Sequence, residues 1–122
     1  MTSFLYDTNI LIDHLNGIAK ATRELKRTTD LAISMITWIE VMTGASSPEE
    51  EAVLRSFLLN FECLPVSSNI PERAAVLRRQ MRIKMPDAII LATAEVSGRV
   101  LVTRNVKDFP SGTRGMKVPY QV

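Results

Sequence analysis

The stretch that decides the fold is Phe4-Leu5-Tyr6-Asp7-Thr8-Asn9-Ile10-Leu11. Its first three residues are apolar and predict a short strand that ends at Asp7, and from residue 10 to residue 18 apolar side chains recur with helical spacing. Further strands are predicted at 31–35, 63–66, 100–103 and 116–120, with helical patterns between them. Strands separated by helices indicate βαβ units, so we predict an α/β fold with a parallel sheet.

Several helix boundaries are marked by local signals. Ser47-Pro48-Glu49-Glu50 predicts a helix start, because Ser47 is a capping residue, Pro48 suits the first helical position and Glu50 completes a capping box. Asn69-Ile70-Pro71-Glu72 resembles another start. Residues 36–43 predict a helix that ends at Gly44, and residues 88–96 predict one apolar enough for deep burial.

The length of 122 residues fits one compact domain spanning residues 1–122, and the apolar fraction of 46% is large enough for a buried core. A net charge of +2, from 15 basic and 13 acidic residues, is too small to indicate nucleic-acid binding by itself. Cys63 is the one cysteine, which excludes an internal disulfide and a cysteine-rich zinc site, and we predict that it is a small buried apolar residue.

The N-terminus has no secretory pattern, and no apolar run approaches the ~20 residues that span a bilayer. We therefore expect a cytoplasmic protein without a membrane segment.

Three acids interrupt apolar segments, and each has an ordinary structural explanation. Asp7 is a normal helix cap. Glu40 shares a helix face with Thr37, and this face could be a polar strip exposed to solvent on an otherwise buried helix. Asp87 stands in the first turn of a helix, where the macrodipole favours a negative charge. Ligands collect beyond the carboxyl ends of parallel strands, so the alternative is that the topology brings these three acids together.

Clustered carboxylates repel one another unless a cation neutralises them. A site built from oxygen ligands selects hard ions, so Mg²⁺ or Mn²⁺ is the predicted cofactor. Such an ion polarises a phosphodiester and lowers the pKa of water.

Four segments in order resemble the motifs of the PIN-domain family, and among its members the VapC toxins in particular: Tyr6-Asp7-Thr8-Asn9, Ser34-Met35-Ile36-Thr37-Trp38-Ile39-Glu40, Met85-Pro86-Asp87-Ala88-Ile89-Ile90-Leu91-Ala92-Thr93-Ala94 and Leu101-Val102-Thr103-Arg104-Asn105-Val106-Lys107-Asp108-Phe109. The resemblance implies a three-layer α/β/α domain with a central parallel sheet. It also implies an endoribonuclease that cleaves RNA, is inhibited by a VapB-like antitoxin and forms a homodimer.

The resemblance assigns Asp7, Glu40 and Asp87 to the acidic metal site. Thr8 and Thr103 match polar positions that help to order the site, and Asn9 supports the Asp7 turn.

The chain departs from the family pattern at Asn105, where many PIN domains carry a fourth acid after the Thr-Arg pair. Asn105 brings a carbonyl oxygen but no charge. Asp108 could reach the site instead, or it could be a capping partner of Asn105. Whether one or two ions act at the site stays open.

Basic residues near these motifs are candidates for RNA contacts. Arg104 and Lys107 flank Asn105 and are the favoured pair. The basic residues at 78–84 lie just before Asp87 and would line the acidic pocket if the strand ends converge, although Arg78 and Arg79 fit an ordinary solvated helix face better. A second basic stretch at residues 20–27 could contact RNA or simply be exposed.

Other classes fit less well. A haloacid-dehalogenase phosphatase needs a second Asp where Asn9 stands, and a receiver domain needs an acidic pair that Asp7-Thr8 lacks. A decayed PIN-like binding module and an RNA-processing nuclease outside any toxin system remain as alternatives.

Overall fold

The computed structural model describes residues 2–67, 69–110 and 112–122 of the chain. A pair of helices follows each of the first three strands. In chain order the elements are β1 (Phe4–Tyr6), α1 (Thr8–Leu15), α2 (Ala19–Leu25), β2 (Ala32–Ser34), α3 (Met35–Thr43), α4 (Pro48–Leu58), β3 (Glu62–Leu64), α5 (Ile70–Met81), α6 (Met85–Val96), β4 (Val100–Val102) and β5 (Met116–Lys117).

The described strands that pair with one another run parallel, as predicted. β4 lies between β1 and β5, and β2 pairs with β3. β2 packs beside β1, so the two sheets together form one central layer. The prediction of a central parallel sheet is confirmed, with the difference that its backbone ladders belong to two neighbouring sheets.

Helices cover both faces of this central layer. Successive strand residues point to opposite faces, so neighbours in a strand enter different cores. Leu5 and Leu101 join a core built with α5 and α6, whereas Tyr6 and Val102 join a core built with α1, α3 and α4. This arrangement is the predicted three-layer α/β/α architecture.

Prolines and caps explain why several strands differ from their predicted bounds. β2 ends at Ser34 because this residue caps α3, where its Oγ accepts the Ile36 N–H at 3.0 Å. β3 ends before Pro65 and β5 ends before Pro119. Proline has no N–H to donate to a ladder, so neither strand reaches its predicted last residue.

The predicted burial of Cys63 is wrong, since this side chain is exposed. Cys63 lies on β3, which is the outer strand of the β2-β3 sheet, and Glu62 beside it is exposed as well. The apolar run predicted a covered strand, but helices of the fold do not cover this part of the edge.

The α4 start is confirmed in part. Ser47 Oγ accepts the Glu50 N–H at 3.1 Å, and Pro48 is the first helical residue. In a full capping box the Glu50 carboxylate would accept the backbone N–H of Ser47. It instead accepts the hydroxyl of the neighbouring residue Ser46 at 2.9 Å. Asn69 precedes α5, as predicted, without a capping side-chain bond among the described residues.

Across the described parts of the chain, no helix is both long enough and apolar enough to cross a membrane.

Candidate active site

The topology brings the ends of β1 and β4 to one edge of the central layer. Tyr6 is paired with Val102, so the residues that follow, Asp7 and Thr103, are adjacent. The Asp7 N–H continues the ladder by donating to Val102 O at 2.9 Å. Side chains that leave the two strands at this edge therefore share one site, as the sequence predicts.

Asp7 is the buried centre of the site. Its side chain is 4% exposed, and Oδ2 accepts the hydroxyl of Thr103 at 2.8 Å while Oδ1 accepts the Thr8 N–H at 2.7 Å. Asn9 Nδ2 lies 3.4 Å from the same Oδ2 and donates to Thr103 Oγ1 at 3.0 Å. Thr103 and Asn9 therefore both lie against the Asp7 carboxylate, and Asp7 also caps α1.

Burial raises the pKa of the Asp7 carboxyl. The hydrogen bonds from Thr103 and Thr8 lower this pKa, and repulsion from Glu40 and Asp108 raises it again, so the net pKa lies above the ordinary value. A desolvated carboxylate that faces other acids is stabilised in its charged form by a cation.

Glu40 reaches the site from α3 and is held by α1. Thr8 donates its hydroxyl to Glu40 Oε1 at 2.6 Å, and Thr8 Oγ1 lies 3.0 Å from Thr37 Oγ1. Thr37 is fully buried. Sequence reasoning placed Thr37 on the Glu40 face but did not assign it to the site, although its position three residues before Glu40 was the available signal.

Asp87 lies in the first turn of α6 and is half-buried. Burial raises its pKa to about 6. Repulsion from Asp7, Asp108 and Glu40 contributes in that order, and Lys84 opposes it. Lys84, one of the basic residues that the sequence offered as a possible lining of the acidic pocket, lines the same pocket.

The loop after β4 is tied to α1. Asn9 Oδ1 accepts the Arg104 N–H at 3.1 Å, and Thr103 Oγ1 accepts the Asn105 N–H at 3.0 Å. Asn105 donates its side-chain amide to Asp108, which is the capping partnership that the sequence left open. Both of these side chains also line the pocket, so the two interpretations of Asp108 are compatible.

Arg104 and Lys107, the candidate RNA contacts, differ in their surroundings. Arg104 lines the pocket, but its guanidinium is bound by Asp13, with Nε 2.7 Å from Oδ2 and Nη2 2.9 Å from Oδ1. Tyr120 donates its hydroxyl to the same Oδ2 at 2.8 Å. Lys107 is exposed and is not among the described residues that line the pocket. Asp13 and Tyr120 were missed by sequence reasoning.

These side chains surround a pocket of about 420 Å³ lined by Asp7, Thr8, Asn9, Ile12, Glu40, Lys84, Pro86, Asp87, Arg104, Asn105 and Asp108. Four of the lining side chains are carboxylates and two are basic. The pocket is therefore an acidic, oxygen-rich site whose lining also includes two basic side chains.

The donor set fits a hard divalent cation. In residues 2–67, 69–110 and 112–122, no three His, Cys, Asp or Glu side chains are arranged to hold a metal ion as they stand. Mg²⁺ does not need such a cage, because it keeps several waters and is commonly bound through one or two carboxylates and the substrate's phosphate. The pocket offers four carboxylates that are close enough to repel one another, which is more than the one or two that Mg²⁺ commonly uses.

Comparison with known proteins agrees with this geometry. The family model described as the PIN domain matches residues 4–111 of the chain. The chain belongs to the PIN-domain family. Ribonuclease VapC10 from Mycobacterium tuberculosis is 33% identical over 97% of this chain and 93% of its own length. Ribonuclease VapC1 from Methanocaldococcus jannaschii is 31% identical over 88% of this chain and 79% of its own length.

A solved structure of the same PIN fold is a toxin–antitoxin complex from Klebsiella pneumoniae. It has a TM-score of 0.91 and 45% identity, and the match covers 98% of this chain and 100% of the other. The prediction of a PIN-domain protein of the VapC ribonuclease type is confirmed.

Proposed function

We propose that this PIN domain, spanning residues 1–122, is a metal-dependent endoribonuclease and the toxin of a toxin–antitoxin pair. The observation that carries the proposal is the gathering of four carboxylates in one pocket at the carboxyl ends of parallel strands. The raised pKa values of Asp7 and Asp87 support it, because burial first and repulsion from neighbouring carboxylates second disfavour the charged forms, which a cation would stabilise. The names of the VapC relatives support the ribonuclease assignment.

Asp7, Glu40 and Asp87 would hold the ion, and Mg²⁺ or Mn²⁺ suits their oxygen donors. When bound, a divalent cation lowers the pKa of water and stabilises charge on the phosphoryl oxygens. Asp7 is the anchor of this set, because burial and two short hydrogen bonds fix its carboxylate. Glu40 and Asp87 approach from α3 and α6, so the site draws together three elements.

Asp108 completes the set in place of the acid that Asn105 replaces. Its carboxylate raises the pKa of both Asp7 and Asp87, which indicates that it acts on the same charge cluster. The Asn105 amide orients it.

Thr8, Asn9 and Thr103 orient the carboxylates. The Thr103 hydroxyl fixes Asp7, and the Thr8 hydroxyl fixes Glu40. Asn9 joins Asp7 to the loop that carries Arg104. Such oriented ligands keep their geometry when substrate enters, which is why these contacts matter for rate.

RNA phosphates would approach the rim past Arg104 and Lys107. Arg104 is held in one orientation by Asp13, so its guanidinium is fixed in place and its charge is already paired. Lys107 is an exposed residue of the loop after β4, and its side chain is free to contact a bound RNA strand.

An antitoxin of the VapB type would inhibit the enzyme, and the complex from Klebsiella pneumoniae supports this partnership. A homodimer and a cytoplasmic location remain predictions that belong to the same proposal.

The test is cleavage of total cellular RNA by the purified chain with Mg²⁺, with Mn²⁺ and with chelator, beside Asp7→Asn. We expect cleavage that requires a divalent ion and disappears in the variant. A folded chain that cuts no RNA with either ion would overturn the proposal in favour of a decayed binding module. Expression in cells separates the remaining alternative: growth arrest by the parent but not by Asp7→Asn supports a toxin, and its absence supports an RNA-processing nuclease.

A further inference from the structure

The pocket of about 420 Å³ around Asp7 is called the catalytic pocket. A second pocket, which we call the α2 pocket, has the opposite charge. Its volume is about 510 Å³, and its lining includes Lys20, Arg23, Lys26 and Arg27 but only one acid, Glu24. The four basic side chains are exposed. The sequence left open whether this basic stretch contacts RNA or is simply solvated.

The acid in the α2 pocket is already neutralised within the protein. Glu24 is 5% exposed, and its Oε2 lies 3.2 Å from Lys117 Nζ while its Oε1 lies 3.5 Å from Arg27 Nη1. Among the described residues, Arg23 and Lys26 have no carboxylate within ion-pair distance. The positive charge of these two side chains therefore faces solvent without internal compensation.

Asp13 joins the α2 pocket to the catalytic pocket. Its carboxylate binds Arg104, which lines the catalytic pocket, and Tyr120, which lines the α2 pocket. Its carbonyl oxygen accepts the N–H of Ile18, the residue that precedes α2, at 2.9 Å. Arg104 of the catalytic pocket and Tyr120 of the α2 pocket are therefore linked through one buried carboxylate.

The catalytic pocket cannot supply the affinity for an RNA chain by itself. Its lining holds four carboxylates against two basic side chains, and carboxylates repel every phosphate except the one bridged by a cation. Affinity for a nucleic-acid backbone comes mainly from basic side chains that replace its counterions. A substrate longer than the cut site needs such side chains next to the acidic pocket, and the α2 pocket supplies them.

We propose that the α2 pocket binds the backbone phosphates of single-stranded RNA that flank the scissile bond, with Asp13 linking the two sites through Arg104 and Tyr120. The proposal rests on the ribonuclease function proposed above. It assigns a site to Arg23 and Lys26, and it gives the Asp13 bridge the role of fixing the path between the pockets.

The test is RNA binding by the double variant Arg23→Gln/Lys26→Gln, made in the non-cleaving Asp7→Asn background. Fluorescence anisotropy with a labelled trinucleotide and with a longer single strand gives the Kd over a range of salt concentrations. For the longer strand we expect about a 10-fold weaker Kd, and a salt slope smaller by about 1.4, because each lost contact to a single strand removes about 0.7. The weakening should be greater for the longer strand than for the trinucleotide.

The matched control is Arg79→Gln/Arg114→Gln, which removes two exposed charges from other surfaces of the protein. It should keep the Kd and the salt slope of the parent. Thermal unfolding of both double variants checks that each is folded.

Three results would overturn the proposal. One is a double variant that binds the longer strand like the control, and another is equal weakening for both RNA lengths. The third is tighter binding of polyglutamate than of RNA, which would assign the α2 pocket to an acidic protein partner. Divalent-dependent cleavage by the parent chain tests the ribonuclease function separately, so the two failures are distinguishable.

Discussion

At the scale of single residues, Asp7 has two roles that are usually separate. It caps α1 through the Thr8 N–H, and it is the most buried carboxylate of the catalytic pocket. Capping needs only a side-chain oxygen, whereas holding a cation needs negative charge. The two roles are therefore separable by replacing one oxygen with an amide.

Asp7→Asn should abolish RNA cleavage and leave the protein folded. The Asn oxygen can still accept the Thr8 N–H, and removing a charge from a crowded acidic site relieves repulsion. In chelator we expect a Tm equal to or above that of the parent. Glu49→Gln, a neutralised acid in the first turn of α4, is the matched control and should cut RNA normally. A large loss of Tm in Asp7→Asn would mean that Asp7 is mainly structural.

Thr103→Val should slow cleavage by about 10- to 100-fold, the effect typical of losing a group that orients a metal ligand. Valine keeps the shape of threonine but cannot donate to Asp7 Oδ2. Because the change acts through the metal ligand, the concentration of Mn²⁺ that gives half-maximal rate should rise. A variant that loses rate without any change in its Mn²⁺ dependence would contradict this role.

The Asp13 bridge predicts how stability depends on pH. Burial alone would raise the pKa of Asp13, but hydrogen bonds from Arg104 and Tyr120, together with the Arg104 charge, hold it below the ordinary value of 3.8. A lowered folded-state pKa stabilises the protein above pH 3.8, and this contribution is lost as the pH falls through the lowered value.

Asp13→Asn should therefore lower the free energy of unfolding by about 2 kcal/mol at neutral pH, as expected for losing hydrogen bonds to a charged group. The deficit should shrink as the pH falls below 3.8. Asp30→Asn is the control, because the Asp30 carboxylate is half exposed and its ion pair with Arg99 is long, at 3.4 Å, so it is worth about 0.5 kcal/mol. Urea unfolding across pH measures both, and a deficit that does not change with pH would exclude the electrostatic explanation.

Sequence reasoning could propose Asp7, Glu40 and Asp87 because each interrupts an apolar segment where strands end or helices begin. It could not find the Asp13 bridge. Asp13 is 91 residues from Arg104 and 107 residues from Tyr120 along the chain, and no local pattern records such a contact.

At the scale of elements, α4 shows how much local chemistry determines. Ser47 and Pro48 set its first turn, and their positions are readable from neighbouring residues alone. The exposure of Cys63 is different, because it depends on β3 lying at the edge of the β2-β3 sheet. Local signals therefore predicted where helices begin better than which strands are covered.

Ser47→Ala should lower the free energy of unfolding by about 1 kcal/mol, since the Glu50 N–H loses its capping acceptor. The matched control is Ser46→Ala, which removes only an exposed bond between two side chains. RNA cleavage should be the same for both variants and the parent. Equal stability of the two variants would show that Ser47 is not the effective cap.

At the scale of the whole molecule, the catalytic pocket collects side chains from α1, α3, α6 and the loop after β4. These elements pack on both faces of the central layer. A ligand that binds several carboxylates of this pocket must therefore stabilise the entire domain and not one segment.

Mn²⁺ should raise the Tm of the parent chain and have little effect on Asp7→Asn. Binding to the folded state alone adds about 2.7 kcal/mol when the ion is present at about 100 times its Kd. Thermal unfolding with increasing Mn²⁺ gives the curve for each protein. Equal Tm shifts in the two proteins would place the ion outside the Asp7 site.

The double role of Asp7 also has a genetic consequence. An aspartate codon becomes an asparagine codon by one base change, and the cap at the start of α1 tolerates that change. Such a mutation would produce an inactive protein that keeps its outer surface and so would still bind the antitoxin proposed above as its inhibitor. Cells carrying both alleles would then have less free inhibitor, and the inactive copy would increase the potency of the active one.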